Sequence, residues 1–373
     1  MRFLKYIIPI TLLAGAAILC GIRWKAWFNN PPEAPWNQDT ISYHFYTFGE
    51  DSVPGFVKQS NGIYKDTIQS DTFRLLLLGD VHNGIDSLQY RNMYLRHKPL
   101  DCYAQVGDFM ERCYFCYYQL LVRELIHTGF DSIPILAVPG NHEYMKGIVR
   151  HLPEMWKEWF SNPLNGPDRF KGSTYYVDFE NLRFIVIDTN GLQRLSDYTT
   201  VLTWLNRTLC EAGSRYTVVM MHHPVLSGAV GRQNMVIKVA FYDALNKADI
   251  VFSGHDHNYT RRLPFIGTNS AKKFYLSKVN HKDTRICSGK QLYNVLTLCN
   301  DTLTIETFLM DSGEKYDEIQ VIHHTNNERQ YIDNWSGKKE IIELPEKYEK
   351  RHNIKVSKFY RRRNLRMAKD TIL

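Results

Sequence analysis

Short apolar runs that end in glycine and a polar cluster recur along the middle of the chain. "FRLLLLGD" (73–80), "CYAQVGD" (102–108) and "IPILAVPGNHE" (133–143) each predict a strand covered on both faces, since such a strand needs an unbroken apolar run. "YTVVMMHHP" (216–224) and "ADIVFSGHDHNY" (248–259) repeat the design. Between them, "YYQLLVRELIHTG" (117–129) has helical apolar spacing with a Gly stop, and "VLTWLNRTLCEA" (201–212) predicts a second helix. "STYYVDFENLRFIVIDTN" (173–190) predicts a hairpin around "ENL". From Lys272 to Ile322 the runs become short and alternating, which predicts an antiparallel sheet. Strands alternating with helices, then strands alone, give an α/β fold with mixed sheets.

The ends of the chain differ from this middle. Arg2 and Lys5 precede the 17-residue apolar run "YIIPITLLAGAAILCGI" (6–22), and Arg23 and Lys25 close it. That length is at the short limit for a bilayer span. Cleavage after "AGA" (14–16) would leave "AILCGI" on the mature end, so residues 1–28 are expected to be an uncleaved signal-anchor. With such an anchor the folded domain is expected to lie outside the cytoplasm; a cleaved signal peptide, giving a secreted or periplasmic protein, is the alternative. "NNPPEAPW" (29–36) opens a linker and lead-in segment that runs to residue 69. At the other end, residues 323–373 are expected to be a tail. Ten Lys or Arg fall between Pro345 and Lys369, including "RHNIKVSKFYRRRNLRMAK" (351–369). This is a solvated tail or a contact for anionic lipid.

The net charge of +7 is mild and concentrated in that tail, and no recognised binding module accompanies it, so nucleic acid is an unlikely partner. Seven cysteines without regular spacing make a poor disulfide framework. Cys113 and Cys116 form a CxxC on an expected helix, with no second pair to complete a zinc site.

The polar clusters carry the chemistry. Asp80 and His82 lie in "GDVHNG", Asp108 in "GDFMER", Asn141 and His142 in "GNHE", His222 and His223 in "MMHHP", and His255 and His257 in "GHDH". Carboxylate, amide oxygen and imidazole without thiolate suit Fe, Zn or Mn. All five clusters sit at the carboxyl end of an apolar run, where α/β folds gather their sites. Strand alternation would put both members of Asp-x-His and His-x-His on one side, as chelation requires.

These motifs, in this order over residues 70–322, resemble the calcineurin-like metallophosphoesterases, which include Ser/Thr protein phosphatases and purple acid phosphatases. The resemblance implies a four-layer α/β/β/α sandwich with two metal ions. It implies that Asp80, His82 and His257 hold one metal, that Asn141, His222 and His255 hold the other, and that Asp108 bridges them. Attack by metal-activated hydroxide and a general acid, His142, are also implied. "GDFMER" is similar to the "GDxVDRG" of the Ser/Thr phosphatases, implying that Glu111 pairs with His142 and that Arg112 grips the phosphate. "MMHHPVLSGA" and "SGHDHNYTRRLPF" resemble purple acid phosphatases, but Glu111 stands where those enzymes have a tyrosine ligand.

The expected function is hydrolysis of phosphate monoesters on a small molecule or lipid. A diesterase acting on nucleotides or phospholipid headgroups is the first alternative, and a non-catalytic, metal-stabilised envelope binding module is the second. Substrate choice is expected to depend on pocket walls, for which Tyr144, Trp156, Trp159, Arg232 and Tyr259 are candidates.

Overall fold

The computed structural model describes residues 41–68, 70–145, 150–275, 277, 285–324 and 328–334. The apolar run at 6–22, the Pro-rich stretch at 29–36 and the basic stretch at 345–369 lie outside these residues. Among the described residues, no helix is long and apolar enough to cross a membrane.

Among the described residues seventeen strands run in chain order, of which β4 (Thr72–Leu78), β5 (Cys102–Gln105) and β6 (Ile135–Ala137) form a parallel set. β14 (Leu292–Cys299) pairs antiparallel with β4, and β15 (Thr302–Leu309), β16 (Lys315–His323) and β17 (Arg329–Asp333) extend that seven-stranded sheet. A second seven-stranded sheet is built on the parallel strands β8 (Leu182–Ile187), β9 (Tyr216–Met221) and β10 (Ile250–Ser253). It is completed by β7 (Tyr175–Asp178), β11 (Asn258–Arg262), β12 (Phe265–Gly267) and β13 (Arg285–Ser288). β7 and β8 form the expected hairpin, with Asp178 opposite Arg183.

Strand alternation explains the four layers. Leu75 and Leu77 of β4 face the core between the sheets, where Val218 and Met220 of β9 meet them. Leu76 and Leu78 point the other way, onto a layer holding helices Ser87–His97, Phe115–Leu125 and Glu154–Trp159. Val219 and Met221 likewise face helices Leu195–Cys210 and Met235–Leu245. Both faces of the central strands are therefore dry, and each buried Leu contributes about 2 kcal/mol. The helices expected over 117–129 and 201–212 are present, but the second begins six residues earlier, at Leu195. Asp197, in its first turn, accepts the amides of Gln193 and Arg194 at 3.0 and 2.8 Å and so sets that start.

The folded region is wider than residues 70–322. In the lead-in segment, β1 (Ser52–Val53), β2 (Phe56–Lys58) and β3 (Tyr64–Asp66) make a small antiparallel sheet. Phe48, Val53, Phe56 and Tyr64 pack into the core between the large sheets. At the other limit, β17 pairs with β16 beyond residue 322. Cross-strand hydrogen bonds hold these segments where apolar periodicity is weak.

Candidate metal centre

Five loops converge where β4, β5, β6, β9 and β10 end. The alternation expected for Asp-x-His and His-x-His does not place their side chains. β4 stops at Leu78 and β10 at Ser253, and the residues beyond are left-handed: Asp80 φ 54°, His82 φ 50°, His255 φ 68°, His257 φ 47°. Asp108 (φ 55°) joins them. That conformation costs a non-glycine residue roughly 1 kcal/mol or more, and it persists because neighbouring loops bond it in place. The His255 amide donates to both Asp80 carboxylate oxygens at 2.8 Å, and the His82 amide donates to the Asp108 carbonyl at 2.9 Å. Close approach also needs glycine at two positions. A Cβ on Gly107 would lie 2.5 Å from His222 Nδ1, and one on Gly140 would lie 2.2 Å from the Asp108 amide.

The side chains form two donor groups. In the first, one donor atom from each of Asp80, His82, Asp108 and His257 lies within 4.8 Å of all the others. His82 Nε2 and His257 Nε2 face each other at 3.2 Å. In the second, Asn141 Oδ1 is 3.1 Å from His222 Nε2 and 2.9 Å from His255 Nδ1, with those two nitrogens 3.2 Å apart. Asp108 Oδ2 belongs to both groups, at 3.6 Å from His82 Nε2 and 3.4 Å from His222 Nε2. Its other oxygen accepts the His142 amide at 2.9 Å. Outer bonds orient the rings: His222 Nδ1 donates to the Val106 carbonyl at 2.9 Å and His257 Nδ1 to the Lys273 carbonyl at 3.2 Å. Each turns its Nε2 inward, toward the donor groups. Ring nitrogens converging at 3.2 Å beside buried carboxylates are a donor set that fits a divalent cation once the rings are neutral.

The electrostatics of the protein alone show the strain of that arrangement. Burial pushes Asp80 well above the carboxylate range, with Asp108 adding to it. Burial acts on Asp108 in the same direction, yet the imidazoles of His222, His142 and His82 outweigh it and hold Asp108 well below. Burial lowers His82 to about 4 and His257 to about 3. His222 goes the other way: its burial is overcome by the Asp108 charge, which holds it at about 9.

Around this centre, His142 turns Nδ1 to the main-chain carbonyl of Glu111 and brings Nε2 to 4.0 Å from Asp108 Oδ2. The expected pairing of His142 with Glu111 is therefore made by the backbone. The Glu111 carboxylate, half exposed, instead lies 3.5 Å from His82 Nδ1. Arg112 is exposed, and its charge bears on Tyr117. Arg232 brings a guanidinium to a donor histidine, its Nη2 lying 2.7 Å from His255 Nε2 and 3.0 Å from the His255 carbonyl. Its Nε reaches Asp256 at 3.3 Å, and its plane covers the Tyr275 ring at 4.1 Å.

Of the wall candidates, Arg232 alone borders the donor groups in this way. Tyr144 is buried and donates to Asp188, Tyr259 is buried and donates to Asp317, and Trp156 and Trp159 are core residues. His223 is beside the site, with Nδ1 2.9 Å from Thr189 Oγ1. Cys113 is buried and its thiol is pushed up to about 12 by that burial and by Glu143, so it offers no thiolate.

Two carboxylates that hold the loops escaped the sequence reading. Glu143 is fully buried and accepts the amides of Asp108, Phe109, Met110 and Gly140 at 2.8, 2.9, 3.3 and 2.8 Å. Asp256 accepts the Ser227 hydroxyl at 2.6 Å and the Gly228 amide at 2.9 Å, which ties the loop carrying Arg232 to the "GHDH" turn. Their sequence signal was an acid embedded in a donor motif, in "GNHE" and "GHDH", where attention falls on the donors themselves.

Three comparisons with known proteins accord with this geometry. The chain is 27% identical over 200 residues, 52% of its length and 68% of the relative's, to a glycerophosphodiester phosphodiesterase, GpdQ, from Enterobacter lignolyticus (strain SCF1). Its fold is similar to that of a purple acid phosphatase from yellow lupin (Lupinus luteus) seeds, at a TM-score of 0.57 and 15% identity. That match covers 73% of this chain and only 59% of the lupin enzyme. GAP50, the anchor in the inner membrane complex of Plasmodium, matches at a TM-score of 0.51 and 15% identity, over 73% of this chain and 91% of that one. The calcineurin-like phosphoesterase model matches residues 73–259, half of the chain, and this protein therefore belongs to that family of phosphoric ester hydrolases.

Proposed function

We propose that the chain hydrolyses phosphodiesters at a centre for two divalent cations. Asp80, His82 and His257 would hold one, Asn141, His222 and His255 the other, and Asp108 would span them. The observation that carries this is Asp108 Oδ2, which sits between the two donor groups, 3.6 Å from His82 Nε2 and 3.4 Å from His222 Nε2. Cations bound there, of Fe, Zn or Mn, would supply Lewis acidity toward water and the phosphoryl oxygens. The chain supplies the rest. As an imidazolium, His142 would donate its Nδ1–H to the Glu111 carbonyl, which fixes the ring, and hand its Nε2 proton to the leaving alkoxide. Arg232 places a second positive charge beside His255.

The sequence alone put monoesters first. Two observations favour diesters. The relative from Enterobacter lignolyticus is a diesterase, and the Glu111 carboxylate stands 3.5 Å from His82. A negative charge beside the donor groups repels a dianionic monoester more than a monoanionic diester. Purified full-length protein is expected to turn over bis-p-nitrophenyl phosphate faster than p-nitrophenyl phosphate, with metal measured on the same sample. A monoester preference would overturn the diester reading. Turnover of neither, with two cations bound, would overturn the catalytic one. The apolar run at 6–22 is the reason to propose that this site works outside the cytoplasm, on a membrane-attached chain.

Metal uptake should release protons. In the metal-free protein His222 is held protonated up to about pH 9, so at neutral pH a cation must displace that proton. The sign follows: affinity rises with pH and levels off above about 9. Calorimetric titrations of the apoprotein in buffers of different ionisation enthalpy read the count, and a binding heat independent of the buffer would contradict it.

A further inference from the structure

Helix Met235–Leu245 is apolar on both sides. Ile237, Phe241, Ala244 and Leu245 face the sheet, while Met235, Val236 and Val239 face outward, 57%, 54% and 80% exposed. Large apolar side chains clustered on an outer helix face are normally covered, and among the described residues nothing covers these. Val239 neighbours both Val236 and Met235 on the helix surface, three and four positions away.

The face lies at the catalytic end. β8, β9 and β10 are parallel, and helices Leu195–Cys210 and Met235–Leu245 connect them in turn. Both helices therefore start where the strands finish, the end that carries His222 and His255. They pack side by side, with Tyr198 against Phe241 at 6.1 Å. Leu195, at the start of the first helix, is 82% exposed. Basic side chains flank these apolar ones. Lys238 sits one turn after Met235, and Arg194 directly precedes Leu195. Arg150 is exposed beside them, its carbonyl bonded to Gln193 Nε2 at 2.5 Å. The acid on the outer helix face, Asp243, lies a full turn beyond Val239, away from this end.

The geometry points to a docking surface for an anionic lipid bilayer, made by Leu195, Met235, Val236 and Val239 with Arg150, Arg194 and Lys238 around them. Apolar side chains ringed by Lys and Arg are what an interfacial helix presents to acidic headgroups, where burial and electrostatic attraction add. The sequence outside the described residues has a matching composition, an apolar run at 6–22 and a basic stretch at 351–369. A bilayer seated on this edge would bring lipid phosphodiesters to the donor groups. The inference takes its chemistry from the proposed hydrolase, but the surface itself is tested without turnover.

Hydrogen exchange of the full-length protein should be followed with vesicles of phosphatidylcholine alone and of phosphatidylcholine with phosphatidylglycerol. The expected result is slowed exchange at residues 193–197 and 230–239 with the anionic vesicles only. Replacing Met235, Val236 and Val239 by Ser should abolish that protection, while hydrolysis of a soluble diester, which reports an intact fold and centre, stays unchanged. A vesicle-bound chain with no protection at these segments would overturn the proposal, because binding would then lie elsewhere. Equal protection by neutral vesicles would overturn the anionic assignment. A concentration-dependent dimer lost in the triple variant would assign the face to a second copy and also overturn it. Protection without any phosphoesterase activity would leave the surface standing and sink the hydrolase reading instead.

Discussion

Asp108→Asn is expected to lower turnover by about 10²–10³-fold or more, with metal content falling from two ions toward one or none. The change is nearly isosteric, so the loss should come from charge and lone pairs. Asn can still accept the His142 amide, as Asp108 Oδ1 does at 2.9 Å. At the Oδ2 position, an amide NH2 would instead face His222 Nε2 and His82 Nε2, at 3.4 and 3.6 Å, with protons where a cation needs electrons. The fold should survive. Asp108 is the main counter-charge that keeps the buried His222 protonated, and without it that ring can become neutral. Thermal unfolding, metal analysis and turnover on one sample check the three parts. Unchanged turnover in the metal-replete variant would refute the bridging role.

How much of this was legible in the sequence depends on range. The strands that seat the site were readable because β4 and β9 are dry on both faces, and such strands must be continuously apolar. The donor residues were readable because each follows such a run immediately. Side-chain direction was not. Whether His142 meets the Glu111 side chain or its carbonyl depends on loop torsions, and left-handed residues at Asp80, His82 and Asp108 reset the direction of everything after them. Arg232 illustrates the other limit. It is 23 residues from His255 in sequence, and contacts between loops, the Asp256 link among them, bring it to that ring. Likewise β1 to β3 and β17 join the fold through pairings too short or too polar to give a periodic signal.

The largest expected effect outside the donor set is at Glu143. Its carboxylate has no contact with solvent, and its two oxygens accept four main-chain amides: Asp108 and Gly140 on Oε2, Phe109 and Met110 on Oε1. It is thus the pin between the loop that carries Asp108 and the loop that carries Asn141. In Glu143→Gln, one oxygen becomes an NH2 that points protons at two buried N–H groups. Each unsatisfied buried donor costs about 1–3 kcal/mol, so the variant should lose roughly 2–6 kcal/mol. Glu143→Asp, one methylene shorter, should not rescue it, because four amides at 2.8 to 3.3 Å fix where the oxygens must be. Loss of stability would be accompanied by weaker metal binding, since the displaced loops supply the spanning carboxylate and the amide oxygen. Calorimetric unfolding and metal titration of the same variant separate the two effects. If Glu143→Gln unfolds at the wild-type temperature, the four amides are not what holds the loops together. A wild-type metal affinity in a clearly destabilised variant would show instead that the donors are positioned by the bonds His255 and His82 make across the site, at 2.8 and 2.9 Å, without the pin.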